Sequence, residues 1–176
     1  MDPLLWYRSW PAPQEIAERQ LESVPHIVDY LPKLLITDHN YRHAPWPPND
    51  PGFCMLEWDV ALDPISRRAF AAEALIQPRE VLVASYRFHD TEVCWLGNDG
   101  GGPTESSIPL REGQTRTDSF GLGCIYIPRS VLTEFLKVMD HLGFTDYTFG
   151  RWYHAHYGQA RATWNVHPQH IHDYTL

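Results

Sequence analysis

The chain has 176 residues, a length that suits one domain, and its 43% hydrophobic and 20% charged residues exclude an intrinsically disordered protein. Its 14 Lys and Arg against 22 Asp and Glu give a net charge of -8 without any basic run, which argues against non-specific nucleic-acid binding. No stretch approaches the ~20 apolar residues of a membrane span, and the first residues lack signal-peptide features. We therefore expect one domain over residues 1–176, in the cytoplasm.

In chain order, six segments predict strands because they are short apolar, aromatic or alternating runs. They span residues 4–10, 34–37, 53–62, 80–88, 93–96 and 123–127. Helices are predicted over residues 13–31, 65–76, 130–142 and 145–158, the second of them capped by Asp63 and Pro64. Strands alternating with helices indicate an α/β fold, with a mostly parallel or mixed central sheet flanked by helices on both faces. Residues 90–119 contain three consecutive glycines and predict a long loop beside a site.

The cysteines are Cys54, Cys94 and Cys124, an odd and widely spaced set. Such a set does not form a disulfide framework or a zinc finger. We expect three reduced side chains that serve as small buried hydrophobes.

Two acids, Glu57 and Asp59, lie in the predicted strand at residues 53–62. Side chains alternate along a strand, so these two are predicted to share a face. Buried carboxylates are costly unless paired, and a hard divalent cation would compensate them. The alternative is that one or both lie at a solvent-facing strand end.

The C-terminal segment places His170 and His172 two residues apart. In extended backbone they too would share a face, and imidazole is a common metal ligand. The alternative is a solvated terminus, although Trp164, Val166 and Ile171 favour packing. A second pair, His154 and His156, lies in the last predicted helix, where this spacing turns the two rings to different sides.

Two further aspartates occupy positions that suit ligand contacts. Asp146 follows Thr145 at a predicted helix start, where a carboxylate either acts as a general base or only complements the helix dipole. Asp38 follows the predicted strand at residues 34–37, where α/β folds place ligand contacts, although a turn residue is the common alternative.

The order of these segments resembles the GT-A class of nucleotide-sugar glycosyltransferases. Residues Phe53 to Val60 are similar to that class's strand with an Asp-x-Asp motif, with Glu57 in place of the first aspartate. Residues Phe120 to Cys124 match its glycine-rich segment before a helix, and Phe144 to Asp146 match its helix-start base. The stretch from His167 to His172 matches a C-terminal metal-binding histidine.

The resemblance implies a single GT-A-like domain whose nucleotide-binding half is shortened, since only 56 residues precede Glu57. It implies a metal-dependent glycosyltransferase that moves a sugar from a nucleotide-sugar donor to an unknown acceptor hydroxyl with inversion. Asp146 would be the base, Asp38 and Asp59 would bind the donor, and Glu57, Asp59, His170 and His172 would hold Mn²⁺ or Mg²⁺. Homo-oligomerisation could complete the short half.

Two other functions are compatible with the same residues. One is a metal-dependent hydrolase that uses the carboxylate and histidine cluster to activate water. The other is a catalytically inactive binding protein of the same fold. The aromatic residues Trp95, Trp152 and Tyr153 could shape an acceptor site, but core packing is the favoured role for each.

Overall fold

The computed structural model describes residues 4–8, 28–29, 51–57, 60–85, 96–97, 113–142, 146–166 and 168–170. Within these residues there are eleven strands and three helices. The strands are β1 (Leu5–Arg8), β2 (Val28–Asp29), β3 (Gly52–Leu56), β4 (Val60–Ala61), β5 (Leu82–Ala84), β6 (Leu96–Gly97), β7 (Arg116–Thr117), β8 (Ser119–Phe120), β9 (Cys124–Pro128), β10 (Ala160–Thr163) and β11 (Gln169–His170). The helices are α1 (Pro64–Ile76), α2 (Arg129–Leu142) and α3 (Asp146–Tyr157).

Seven of these strands form a mixed sheet in the order β2-β1-β3-β9-β5-β10-β7. Strands β1, β2 and β3 are parallel, and β5 is parallel to β10. Strand β9 runs antiparallel to both β3 and β5, and β7 runs antiparallel to β10. The carboxyl ends of β3, β5 and β10 therefore lie at the same edge as the amino end of β9. Two short ladders, β4 with β11 and β6 with β8, complete the described pairing.

Both faces of the sheet are buried, because alternate strand residues belong to two separate cores. Phe53, Met55 and Val83 pack with residues of α2 and α3. Cys54 and Leu56 pack on the other face with α1. Burial on both faces explains why β3 and β9 read as continuous apolar runs. The predicted α/β class with a mixed, helix-flanked sheet is thus confirmed.

Helix α1 begins as the sequence predicts. The Asp63 carboxylate accepts hydrogen bonds from Ile65 N at 2.8 Å and Ser66 N at 3.0 Å, and the Ser66 hydroxyl donates to it at 2.5 Å. Pro64 follows the cap at the first helical position. These hydrogen bonds, first of all the one from the Ser66 side chain, hold the pKa of Asp63 below its ordinary value.

Helix α3 packs against β8 and β10. Gly158 ends the helix with a φ of +80°, a left-handed conformation that glycine adopts without strain, and β10 starts at Ala160. Within the helix, Phe149 and Tyr153 are buried. The Tyr153 hydroxyl accepts a hydrogen bond from Val81 N at 3.3 Å, next to the start of β5.

Several predicted elements are corrected by the structure. The strand predicted over residues 53–62 stops at Leu56, because Val60 N donates to Glu57 O at 3.1 Å and β4 starts only afterwards. Residues Val28 and Asp29, placed in the first predicted helix, form a strand instead. The sequence pattern also missed β7, β8, β10 and β11.

Cys54 and Cys124 are buried free thiols, as predicted, and burial raises the pKa of Cys124 well above its usual range. Cys94 lies outside the described residues. In the part of the chain that the structure describes, no helix has the length and apolar character needed to cross a bilayer.

Candidate functional site

One row of residues crosses the carboxyl edge of the sheet, from β3 through β9 and β5 to β10. Continuing the strand registers pairs Glu57 with Gly123, Gly123 with Ser85, and Ser85 with Trp164. Hydrogen bonds hold this extension in place: Glu57 N donates to Gly123 O at 3.0 Å, and Ser85 N donates to Thr163 O at 3.3 Å. Side chains directly opposite each other on paired strands point to the same face. This row therefore lies on the face that carries α2 and α3.

The row has two ends that reach solvent and a buried middle. Glu57 and Trp164 are half-buried, whereas Gly123 and Ser85 are buried. Trp164 packs partly against the core of the α2 and α3 face, and its indole Nε1–H donates to Gln114 O at 2.7 Å. The edge thus presents a carboxylate on one side and a fixed indole ring on the other.

The ladder of β4 and β11 joins the C-terminal segment to the chain just after Glu57. His170 is the register partner of Val60, and Gln169 is that of Ala61. Cα atoms of such antiparallel partners lie about 4.5–5.5 Å apart. The pairing brings His170 beside the residue that follows Asp59 in sequence, and it orders this part of the tail, with Val166 and Pro168 buried.

Helix α3 packs against β8, which lies just before β9 in the chain. The rings of Phe149 and Phe120 lie 6.1 Å apart, and a Cβ added at Gly150 would have Phe120 Cζ at 4.0 Å as its nearest neighbour. Further along the helix, Tyr153 accepts the hydrogen bond from Val81 N. The first half of α3 therefore lies near the residues that lead into β9.

A second polar cluster lies under α1 and has a structural role. Thr163 Oγ1 donates to Glu73 Oε2 at 2.6 Å, and Arg161 Nη2 donates to Glu73 O at 3.1 Å. Arg161 Nη2 also lies 3.8 Å from Glu73 Oε1. These contacts tie α1 to β10 from the face opposite the row.

The structure describes only some of the predicted site residues. Glu57, the start of α3 at Asp146 and the backbone of His170 are described, whereas Asp38, Asp59 and His172 lie outside the described residues. The strand itself ends at Leu56, before Glu57, and because Asp59 is not described, the expectation that Glu57 and Asp59 share a strand face stays a prediction. Among the described side chains there is no group of three potential metal ligands.

The helical histidines and aromatic residues belong to the packing of α3. His156 Nδ1 lies 2.8 Å from Trp152 O, and its ring stacks on that indole at 4.8 Å between centroids. His154 Nδ1 lies 3.4 Å from Asp118 Oδ1, away from His156. Trp152 is 8% and Tyr153 2% exposed, which agrees with the core role favoured for them. Burial raises the pKa of Tyr153.

Sequence reasoning missed Ser85 and Trp164 as residues of this edge. Ser85 is the first polar residue after the buried strand β5, which was an available signal for a strand end. Trp164 was noted only for packing, since the strand before it, β10, has the sequence Ala-Arg-Ala-Thr and shows no apolar run.

Neither a protein-family model nor a curated protein sequence matches the chain. Among solved structures it is similar to "Crystal Structure of A197 from STIV", with a TM-score of 0.64 and 14% sequence identity. The match covers 97% of this chain and 85% of that one. At this identity the likeness concerns the fold alone: the chain has the overall α/β architecture of that viral protein.

Proposed function

We propose that this chain is a metal-dependent glycosyltransferase that moves a sugar from a nucleotide-sugar donor to an acceptor hydroxyl with inversion. The single observation that carries the proposal is the pairing of His170 with Val60. Two segments far apart in sequence, one with two acids and one with histidines, are joined by this ladder. A ladder of two residues per strand has little stability of its own, so its neighbours must contribute to holding it.

The location of Asp146 supports the same function. A base must lie within reach of the hydroxyl that it deprotonates. Phe149, in the first half of α3, contacts Phe120, which precedes β9 in the chain. Strand β9 begins at the edge where β3 and β5 end, and α/β sheets commonly bind ligands at such an edge. In our proposal Asp146 accepts the proton of the acceptor hydroxyl as that oxygen attacks the sugar carbon.

The kinds of side chain at this edge suit a divalent cation. Glu57 and Asp59 would supply carboxylates, which Mg²⁺ and Mn²⁺ prefer, and His170, whose backbone is paired beside them, would supply an imidazole. These residues would hold the metal, with His172 as the alternative tail ligand. A bound cation supplies charge neutralisation for the diphosphate leaving group. Glu57 itself is held by its backbone hydrogen bond to Gly123 O.

The proposal is tested by thermal shift with a panel of nucleotide sugars, with and without Mn²⁺. We expect stabilisation by one donor that depends on Mn²⁺, since a ligand that binds only the folded state raises its stability. Asp59→Asn should remove the Mn²⁺-dependent part. Asp63→Asn is the matched control, because Asp63 caps α1 nearby and should leave that part intact.

Product analysis separates transfer from hydrolysis. A transferase should form a glycosylated product only when an acceptor is present, whereas a hydrolase releases free sugar from the donor without one. Absence of any Mn²⁺-dependent donor effect, or an Asp59→Asn variant that binds Mn²⁺ as wild type does in calorimetry, would refute the proposal.

A further inference from the structure

We draw no further inference here: the strongest candidate, the exposed apolar stripe of α1 formed by Ile65, Ala72 and Ile76, carries nothing, because nothing in the part of the chain that the structure describes shows what covers it.

Discussion

Gly52 starts β3 opposite Pro128 of β9, where the space beside its Cα is already filled. A Cβ at this position would lie 2.8 Å from both Pro128 Cα and Tyr126 Cε2, and it would also contact Ile127 O. We expect Gly52→Ala to destabilise the protein by about 1–3 kcal/mol, because backbone atoms cannot yield as side-chain ends do.

Urea denaturation measures that cost, with Gly150→Ala as the control. Gly150 lies in α3, and a Cβ added there would have Phe120 Cζ, at 4.0 Å, as its nearest neighbour. That substitution should be neutral or stabilising by up to about 1 kcal/mol, from helix propensity. Equal losses in the two variants would contradict the packing argument.

Asp63 caps α1 through hydrogen bonds to Ile65 N and Ser66 N. Asp63→Ala should lower the free energy of unfolding by about 1 kcal/mol near neutral pH. The pKa of Asp63 is lowered in the folded state, so the charged cap contributes fully above the ordinary value of 3.8. Its contribution is lost as the pH falls through the lower, folded-state pKa.

Unfolding curves of wild type and Asp63→Ala between pH 7 and pH 3 check this dependence. The difference between them should shrink at the acidic end, whereas Asp63→Asn, which caps without a titrating group, should show a smaller change with pH. A difference that stayed constant over this range would show that the charge of Asp63 adds nothing to the cap.

Asp146→Asn tests the proposed base. Because the amide cannot accept the hydroxyl proton, turnover should fall by about 10²–10⁴-fold. Binding of metal and donor should be unchanged, since both precede proton transfer in the proposed mechanism. Steady-state kinetics and calorimetry on the same preparation provide the two readouts, and an unchanged turnover would leave Asp146 as the first residue of α3 only.

At the scale of elements, β11 belongs to the proposed metal site but not to the seven-stranded sheet. It pairs only with β4 among the described strands. A chain that ends at Val166 should therefore fold, because β1 to β3, β5, β9 and β10 remain, yet bind Mn²⁺ at least tenfold more weakly. A chain that ends at His170 keeps β11 and serves as the control.

Circular dichroism and metal titration of the two truncated chains measure these effects. Retained affinity in the shorter chain would exclude the tail from the metal site. Weak binding in both chains would instead identify His172, or a residue after it, as the required ligand.

The elements with strong local signals were predictable from the sequence. The Asp63–Pro64 start, the amphipathic helix α2 and the Gly158 end of α3 all rest on contacts within a few residues. The two-residue strands β4 and β11 carry no such signal, since their existence depends on a partner far away in the chain. The break after Leu56 was missed because the alternation of Glu57, Trp58 and Asp59 is also typical of a continuing strand.

For the whole molecule, the α/β class and the coverage of both faces followed from strands alternating with helices. The strand order did not, because the position of β9 between β3 and β5 is set by side-chain packing on two faces at once. The candidate site shows the same limit. Its acids and histidines could be selected from the sequence by residue type. Trp164 and Ser85 could be identified as residues of this edge only from the strand registers, which align them with Glu57.

The central position of β9 also affects how the chain folds during its synthesis. Both neighbours of β5, which are β9 and β10, are synthesised after it, and β3 has β9 on one side. As the chain leaves the ribosome, the apolar residues of β5 therefore lack a neighbouring strand until Pro128, the last residue of β9, has emerged. Such non-local pairing folds slowly and leaves strand edges exposed to other chains. We therefore expect the nascent chain to be prone to aggregation while residues 85 to 128 are being synthesised.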